Sequence, residues 1–300
     1  MNNLNESQSK YAPHLALFAV QLTFGSLPVI GKIVLKTIPS LAVVGFRVGL
    51  TALVLYLVQR YRGNLRLNDK KDYWRFAVLS FFGVTLNQIF FVTGLSLTKA
   101  SNTSLLAVTI PIFALLIGAV LGIERLRKIK IAGIILAAAG VVFLIDPRNA
   151  SFSSETTLGD ILIVVNSFSY GIYVSISKDI ITRNGAIKSI AWVFIFSSVV
   201  CVPLGVYSLS GIEIETVTPV IWLLILYLAI VSTLTPYLLN AWALARVNPS
   251  TVAVYIYLQP LIGFLMAIVF LGEKLDFKVL VAAALIFAGV FLVTKKSVIK

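Results

Sequence analysis

The chain has 300 residues, 59% apolar and 12% charged, with 25 Lys and Arg against 12 Asp and Glu and a formal net charge of +13. A soluble domain carries about a quarter charged residues, so this balance excludes a water-soluble fold, which would lack the polar surface to cover so much apolar volume. The single cysteine, Cys201, lies in an apolar run and excludes an intrachain disulfide framework.

Ten apolar segments follow in order, at about 12–35, 39–59, 74–96, 102–122, 131–146, 159–177, 189–208, 219–242, 250–271 and 279–294. Lipid accepts only helices or closed barrels. These runs are continuous rather than alternating, so the expectation is an all-α integral membrane protein with ten transmembrane helices. The fifth and tenth segments are short and need their flanks to span. The first, from Tyr11, is too long for a signal-peptide core and has no convincing cleavage site, so it reads as a retained helix.

Inside the first helix, GSLPVIGKI (25–33) has the outline of a phosphate loop. Five residues separate Gly25 from Gly31 and Ile33 follows Lys32. The nucleotide motif requires one residue fewer and a hydroxyl after the lysine. Gly25, Pro28 and Gly31 instead read as a weak or bent stretch, a hinge, because proline removes a backbone donor and glycine permits close approach. Lys32 is expected to reach water at the helix end.

A basic chain raises nucleic-acid binding, but the Lys and Arg cluster in short links between apolar runs. The links at 60–75, 125–130 and 178–188 and the C-terminal tail are basic, whereas the link 210–219 is acidic and has none. Positive links face the cytoplasm. The expected topology is a multi-pass protein of the cell (inner or plasma) membrane with both termini cytoplasmic.

The chain repeats itself. A shift of 149 without gaps places Pro111 on Pro260, Glu124 on Glu273, Leu126 on Leu275 and Gly140 on Gly289. Two five-helix units, 1–147 and 158–296, follow. Because five is odd, the second enters the membrane inverted, an architecture of secondary transporters that bind solute near the midplane. Phe24-Gly25 and Tyr170-Gly171 form a looser pair.

The stretches IPIFALLIGAVLGIERL and QPLIGFLMAIVFLGEKL, each followed by a short Gly- and Ala-rich helix, resemble the EamA-type proteins of the drug/metabolite transporter superfamily. The resemblance covers nearly the whole chain. It implies a ten-helix carrier, often an exporter of amino acids or other small metabolites. One departure is Ile123 between Gly122 and Glu124, where the second copy has Gly272 directly before Glu273.

Polar residues within spans are costly and mark function or pairing. Arg47 is the one cation well inside a span, either a counter-charge for a substrate carboxylate or a structural partner of backbone carbonyls. Asn166, Ser169, Tyr170, Tyr173 and Ser177 share one face of the sixth helix. Under the shift, Asn87 matches Pro236 and Phe91 matches Asn240, so both halves place an Asn on equivalent faces. Thr251, Tyr255 and Gln259 share a face of the ninth span. The expected substrate-binding set is therefore Phe24, Arg47, Asn87, Phe91, Asn166, Tyr170, Tyr173, Asn240, Tyr255 and Gln259. Trp222 and Trp242 read as interface anchors, and Glu124 and Glu273 as caps or pairs at helix ends.

All acidic residues fall in tails, links or helix ends, and the only histidine, His14, starts the first span, so no proton pathway is assigned. Small residues such as Gly133, Ala137, Gly140, Ala284 and Ala288 suit close helix packing within the bundle, or a homodimer. No catalytic motif or metal-spaced Cys/His cluster is present. A carrier of a small molecule with no cofactor is favoured over a membrane-embedded enzyme or a passive channel, with lipid as surroundings and no nucleic-acid partner.

Overall fold

In lipid, backbone groups must bond within their own segment. Accordingly, every element is helical among the described residues of the computed structural model, which are 2–145, 148, 155–210, 212, 217–262 and 277–294. Nine helices among them are long and apolar enough to cross a membrane. The ninth expected segment is described only to residue 262. Glu273, Gly272 and Leu275 lie outside the described residues.

The first span breaks where the proline falls. Helix α1 (Asn2–Gly25) stops, Ser26 turns, and α2 (Leu27–Val34) restarts with Pro28 in its first turn, where no intrahelical N–H is needed. The interruption falls within the stretch Gly25–Gly31, but the glycines there are not forced by crowding. A Cβ on Gly25 or Gly31 would meet its nearest neighbour at 3.5 or 3.4 Å, ordinary contact.

Helix α3 is Ser40–Tyr61. The third span joins α4 (Lys71–Ser80) to α5 (Asn87–Leu97) through a π-helical turn at Phe81–Leu86. Then come α6 (Ala100–Leu106), α7 (Thr109–Val120), α8 (Lys128–Ile145), α9 (Thr157–Asn184) and α10 (Ala186–Ser208). The eighth span repeats the third's design, with α11 (Pro219–Ala229), a π turn at Ile230–Leu234 and α12 (Thr235–Leu244). Helix α13 (Pro249–Val254) tightens into a 3₁₀ turn at Tyr255–Tyr257, and α14 spans Phe277–Thr294.

The π turns start at Phe81 and Ile230, the same 149-residue spacing as the sequence repeat. A π turn widens the helix and frees carbonyls, which hydroxyls then occupy. Thr233 and Thr235 donate to the carbonyls five residues back, Leu228 at 2.7 Å and Ile230 at 3.0 Å. From α3, Thr51 donates to Ala229 O at 3.2 Å. On the other π turn, Ser197 of α10 donates to Ser80 O at 3.2 Å and receives Thr85 Oγ1 at 3.2 Å.

Helices pair where small residues let backbones meet. A Cβ on Gly45 of α3 would sit 2.9 Å from Gly205 Cα of α10. In α8 and α14, one on Gly133 would sit 2.8 Å from Gly289 O, and one on Gly140 would sit 3.1 Å from Ala282 O. These crossings are antiparallel. The small-residue stripe is thus used within the chain, and dispersion contacts replace a hydrophobic drive that lipid cannot supply.

The link after α7 explains the inserted Ile123. Gly122 adopts φ +68°, Ile123 N bonds Gly118 O at 2.9 Å and Gly122 N bonds Ala119 O at 3.0 Å. This pattern closes a helix C-terminus on a left-handed glycine. It swings Glu124 inward, where its carboxylate accepts from Lys130 Nζ, Ser250 Oγ and, at 3.2 Å, Ser250 N. Glu124 therefore caps α13 and pairs at a helix end, as expected.

Candidate functional site

A cavity of about 100 Å³ lies between helices of both halves. Of the ten expected binding residues, Phe24, Arg47, Asn87, Phe91, Asn166, Tyr170, Asn240 and Gln259 line it, and Pro28 borders it. Tyr173 and Tyr255 do not. Tyr173 lies beneath Tyr170, ring centroids 5.8 Å apart, and packs so tightly on α4's π turn that a Cβ on Gly83 would be 2.2 Å from its ring. The hydroxyl of Tyr255 is taken by His14 Nδ1 at 2.8 Å. Shared helical face predicts direction for both, but not depth along the helix.

Three amides and a phenol form one network. Asn87 Nδ2 donates to Asn166 Oδ1 at 2.6 Å, and Tyr237 Oη lies 3.1 Å from Asn87 Oδ1 and 2.9 Å from Gly83 O. Gln88 Nε2 reaches Tyr237 Oη at 3.4 Å. Edge-on contacts of Tyr237 with Phe24 (6.4 Å) and Phe194 (5.0 Å) hold its ring. Across the cavity, Gln259 Nε2 donates to Gln21 Oε1 at 2.9 Å.

Asn240 is incompletely satisfied. Its Nδ2 donates to Tyr170 Oη at 3.0 Å, while its buried Oδ1 has no partner among the described residues. Such a group calls for a water or a solute.

Arg47 is 2% exposed. Its Nε donates to Thr233 Oγ1 at 3.0 Å and Nη2 lies 3.5 Å from Ser232 O, both on the second π turn. No carboxylate pairs with it among the described residues. The guanidinium is anchored on backbone and hydroxyl, and it borders the cavity with no carboxylate beside it among the described residues. No acidic side chain among the described residues lines the cavity, so its field favours neutral or anionic solutes.

The sequence reading missed Gln21, Gln88, Tyr237, Thr103 and Ser104, all in the wall. Gln88 follows the chosen Asn87 and Tyr237 follows the singled-out Pro236, so a one-residue widening would have found those two; Gln21 lies one turn before Phe24 on the same face, and Thr103 and Ser104 carried no signal. Two contacts carry a further signal: Gln88 meets Tyr237, and Tyr257 Oη donates to Val108 O at 3.0 Å, each pair 149 residues apart. Residues related by the sequence shift meet in space.

Lys32 does not simply extend to water, because its Nζ donates to Thr98 O at 2.7 Å. Trp222 packs edge-on against Phe46 at 5.3 Å, and Arg246 lies 4.0 Å over the Trp242 ring. Of the sixth-helix face, Ser177 is buried with its hydroxyl unpaired among the described residues.

The EamA-like transporter family model matches residues 12–146 and again 157–295. The chain belongs to that family. An uncharacterized transporter of Archaeoglobus fulgidus is 29% identical over 94% of this chain and 97% of its own length. The uncharacterized transporter YetK of Bacillus subtilis is 23% identical over 94% and 87%. A probable amino-acid metabolite efflux pump of Salmonella typhimurium is 31% identical over 60% of this chain and 62% of its own. A solved crystal structure superposes with a TM-score of 0.73 at 21% identity, covering 94% of this EamA-like chain and 96% of that one, and it matches in fold. The chain is thus a multi-pass membrane transporter of the drug/metabolite superfamily, and the cavity is read in that light.

Proposed function

We propose that the cavity is the substrate site of a secondary carrier that exports a small metabolite, such as an amino acid, by alternating access. On this reading the chain has ten spans in two inverted five-helix units, lies in the cell membrane and keeps both termini in the cytoplasm. The doubled family match, the π turns 149 residues apart and the meeting of shift-related residues support the inverted repeat. The observation that carries the substrate site is the convergence of Arg47 and the unpartnered Asn240 Oδ1 on one space. A cation with no carboxylate partner and an acceptor with no donor, both among the described residues, suit a solute that brings an acidic group and a donor, as an amino acid does. The Salmonella relative, a probable amino-acid metabolite efflux pump, is consistent with this class.

The break at Ser26 and the two π turns supply bendable points beside the cavity, so Gly25, Pro28 and Gly31 are proposed as a hinge. Counterflow of radiolabelled amino acids in proteoliposomes, without ATP, tests the proposal. Saturable exchange whose affinity Asn240→Ala weakens is expected, whereas flux that requires ATP or never saturates would refute it.

A further inference from the structure

A groove of about 1000 Å³ opens between α4 and α9, at the end of the bundle where Asp72 joins them. Its rim carries Arg75, Lys178 and Arg183 against one carboxylate, Asp179. Asp72 offsets one of these charges and leaves the cluster net positive. It lies buried beneath and takes one nitrogen from each arginine, Arg75 Nη1 at 3.3 Å and Arg183 Nη2 at 2.8 Å. The two side chains remain 53% and 50% exposed. Lys178 has no carboxylate partner among the described residues.

The walls are apolar, built by Val78, Leu79 and Ile176. Trp74, at the mouth, is 74% exposed and sits in the first turn of a membrane span, the depth at which indoles anchor in the headgroup region. We propose that this groove holds the headgroup of an anionic phospholipid, its phosphodiester on Arg75, Lys178 and Arg183 and its glycerol and upper acyl carbons along the apolar wall. A soluble phosphate would use the cations and leave the wall idle. A zwitterionic lipid brings its own cation to a rim that is already positive. Basic pockets between spans on the cytoplasmic side suit acidic headgroups, and this end carries the basic links. Bound lipid would also brace α4 against α9, the helix that presents Asn166 and Tyr170 to the cavity.

The test uses the purified full chain in detergent micelles with added phosphatidylglycerol, phosphatidylcholine or inorganic phosphate, reading the melting temperature. Phosphatidylglycerol is expected to raise it saturably, and the other two are not. Each rim cation near an acidic membrane surface contributes about a fivefold effect on binding. Lys178→Gln, which leaves the Asp72 cluster intact, should therefore shift the phosphatidylglycerol midpoint about fivefold, and Lys178→Gln with Arg75→Gln further. Equal stabilisation by phosphatidylcholine, an unshifted midpoint in Lys178→Gln, or the same rise with inorganic phosphate would each overturn the lipid site.

Discussion

Arg47→Met separates the two roles of Arg47, because binding and stability should move in opposite directions. The substitution keeps the unbranched stem and removes the charge. It loses one good hydrogen bond, Nε to Thr233 at 3.0 Å, and a contact to Ser232 O at 3.5 Å, the limit of useful geometry. A hydrogen bond from a charged donor contributes about 1.5–3 kcal/mol. Thr233 is not orphaned, since its hydroxyl still donates to Leu228 O at 2.7 Å. Against that loss stands relief of a 2%-exposed charge with no carboxylate partner among the described residues. The desolvation penalty of one such ion is several kcal/mol. Relief is the larger quantity, so the variant should melt at or above the wild type. If the guanidinium meets a substrate carboxylate, losing it costs about 2–5 kcal/mol of binding, roughly thirtyfold or more in affinity. Melting followed by intrinsic fluorescence and counterflow affinity in proteoliposomes measure both. A lower melting temperature with unchanged affinity would make Arg47 a structural clamp and refute the reasoning.

Asn240→Ala should weaken substrate affinity at least about tenfold and cost about 1 kcal/mol of stability, since it loses the Nδ2 bond to Tyr170 Oη while its Oδ1 has no partner to lose among the described residues; wild-type kinetics would remove it from the site. Asn87→Ala should impair transport and also cost about 1–3 kcal/mol of stability, because Asn166 and Tyr237 lose their partner; unchanged melting would contradict the network. Pro28→Ala should alter turnover more than binding, because the break in the first span would straighten; equal turnover in both proteins would sink the hinge. Gly289→Val would place a Cβ 2.5 Å from Gly133 O and 2.6 Å from Ala137, forcing α8 and α14 apart at a cost of about 1–3 kcal/mol or more; an unaltered melting curve would show that the pair is not packed as described. Glu124→Gln should destabilise by about 3–5 kcal/mol by leaving Lys130 buried without its counter-ion, read as loss of folded protein after solubilisation.

The fold was legible in the sequence because lipid removes alternatives. A continuous apolar run has one way to satisfy its backbone, so the segments at 39–59 and 189–208 reappear as α3 and α10 with small boundary changes. The boundaries moved where polar residues extend a helix beyond the bilayer core. Lys128 and Lys130 begin α8, and α9 runs on through Asp179 and Arg183 to Asn184 because Asp72 draws that end in. Hydropathy falls at such residues, but the helical hydrogen bonds continue.

The lining of the candidate cavity was legible in outline only, because a helical face gives an azimuth and a cavity also has a height. Asn166 and Tyr170 lie at the height where the two halves meet, whereas Tyr173, three residues on, is already under the π turn. The π turns themselves carry no periodic signal, since FFGVTL and IVSTL read as ordinary apolar helix with a few hydroxyls. What stabilises them is a contact from another span: Arg47 and Thr51 on one, Ser197 on the other. A carbonyl freed in lipid must find a donor, and that donor is chosen by packing between helices far apart in the chain. The sequence shift still held the missing information. Applied to Gln88 it reaches Tyr237, and applied to Val108 it reaches Tyr257, the pairs that bond. Where residues related by the shift touch, they mark the axis that the proposed inverted units would share, and such an axis is where a carrier can present one site to either side of the membrane in turn.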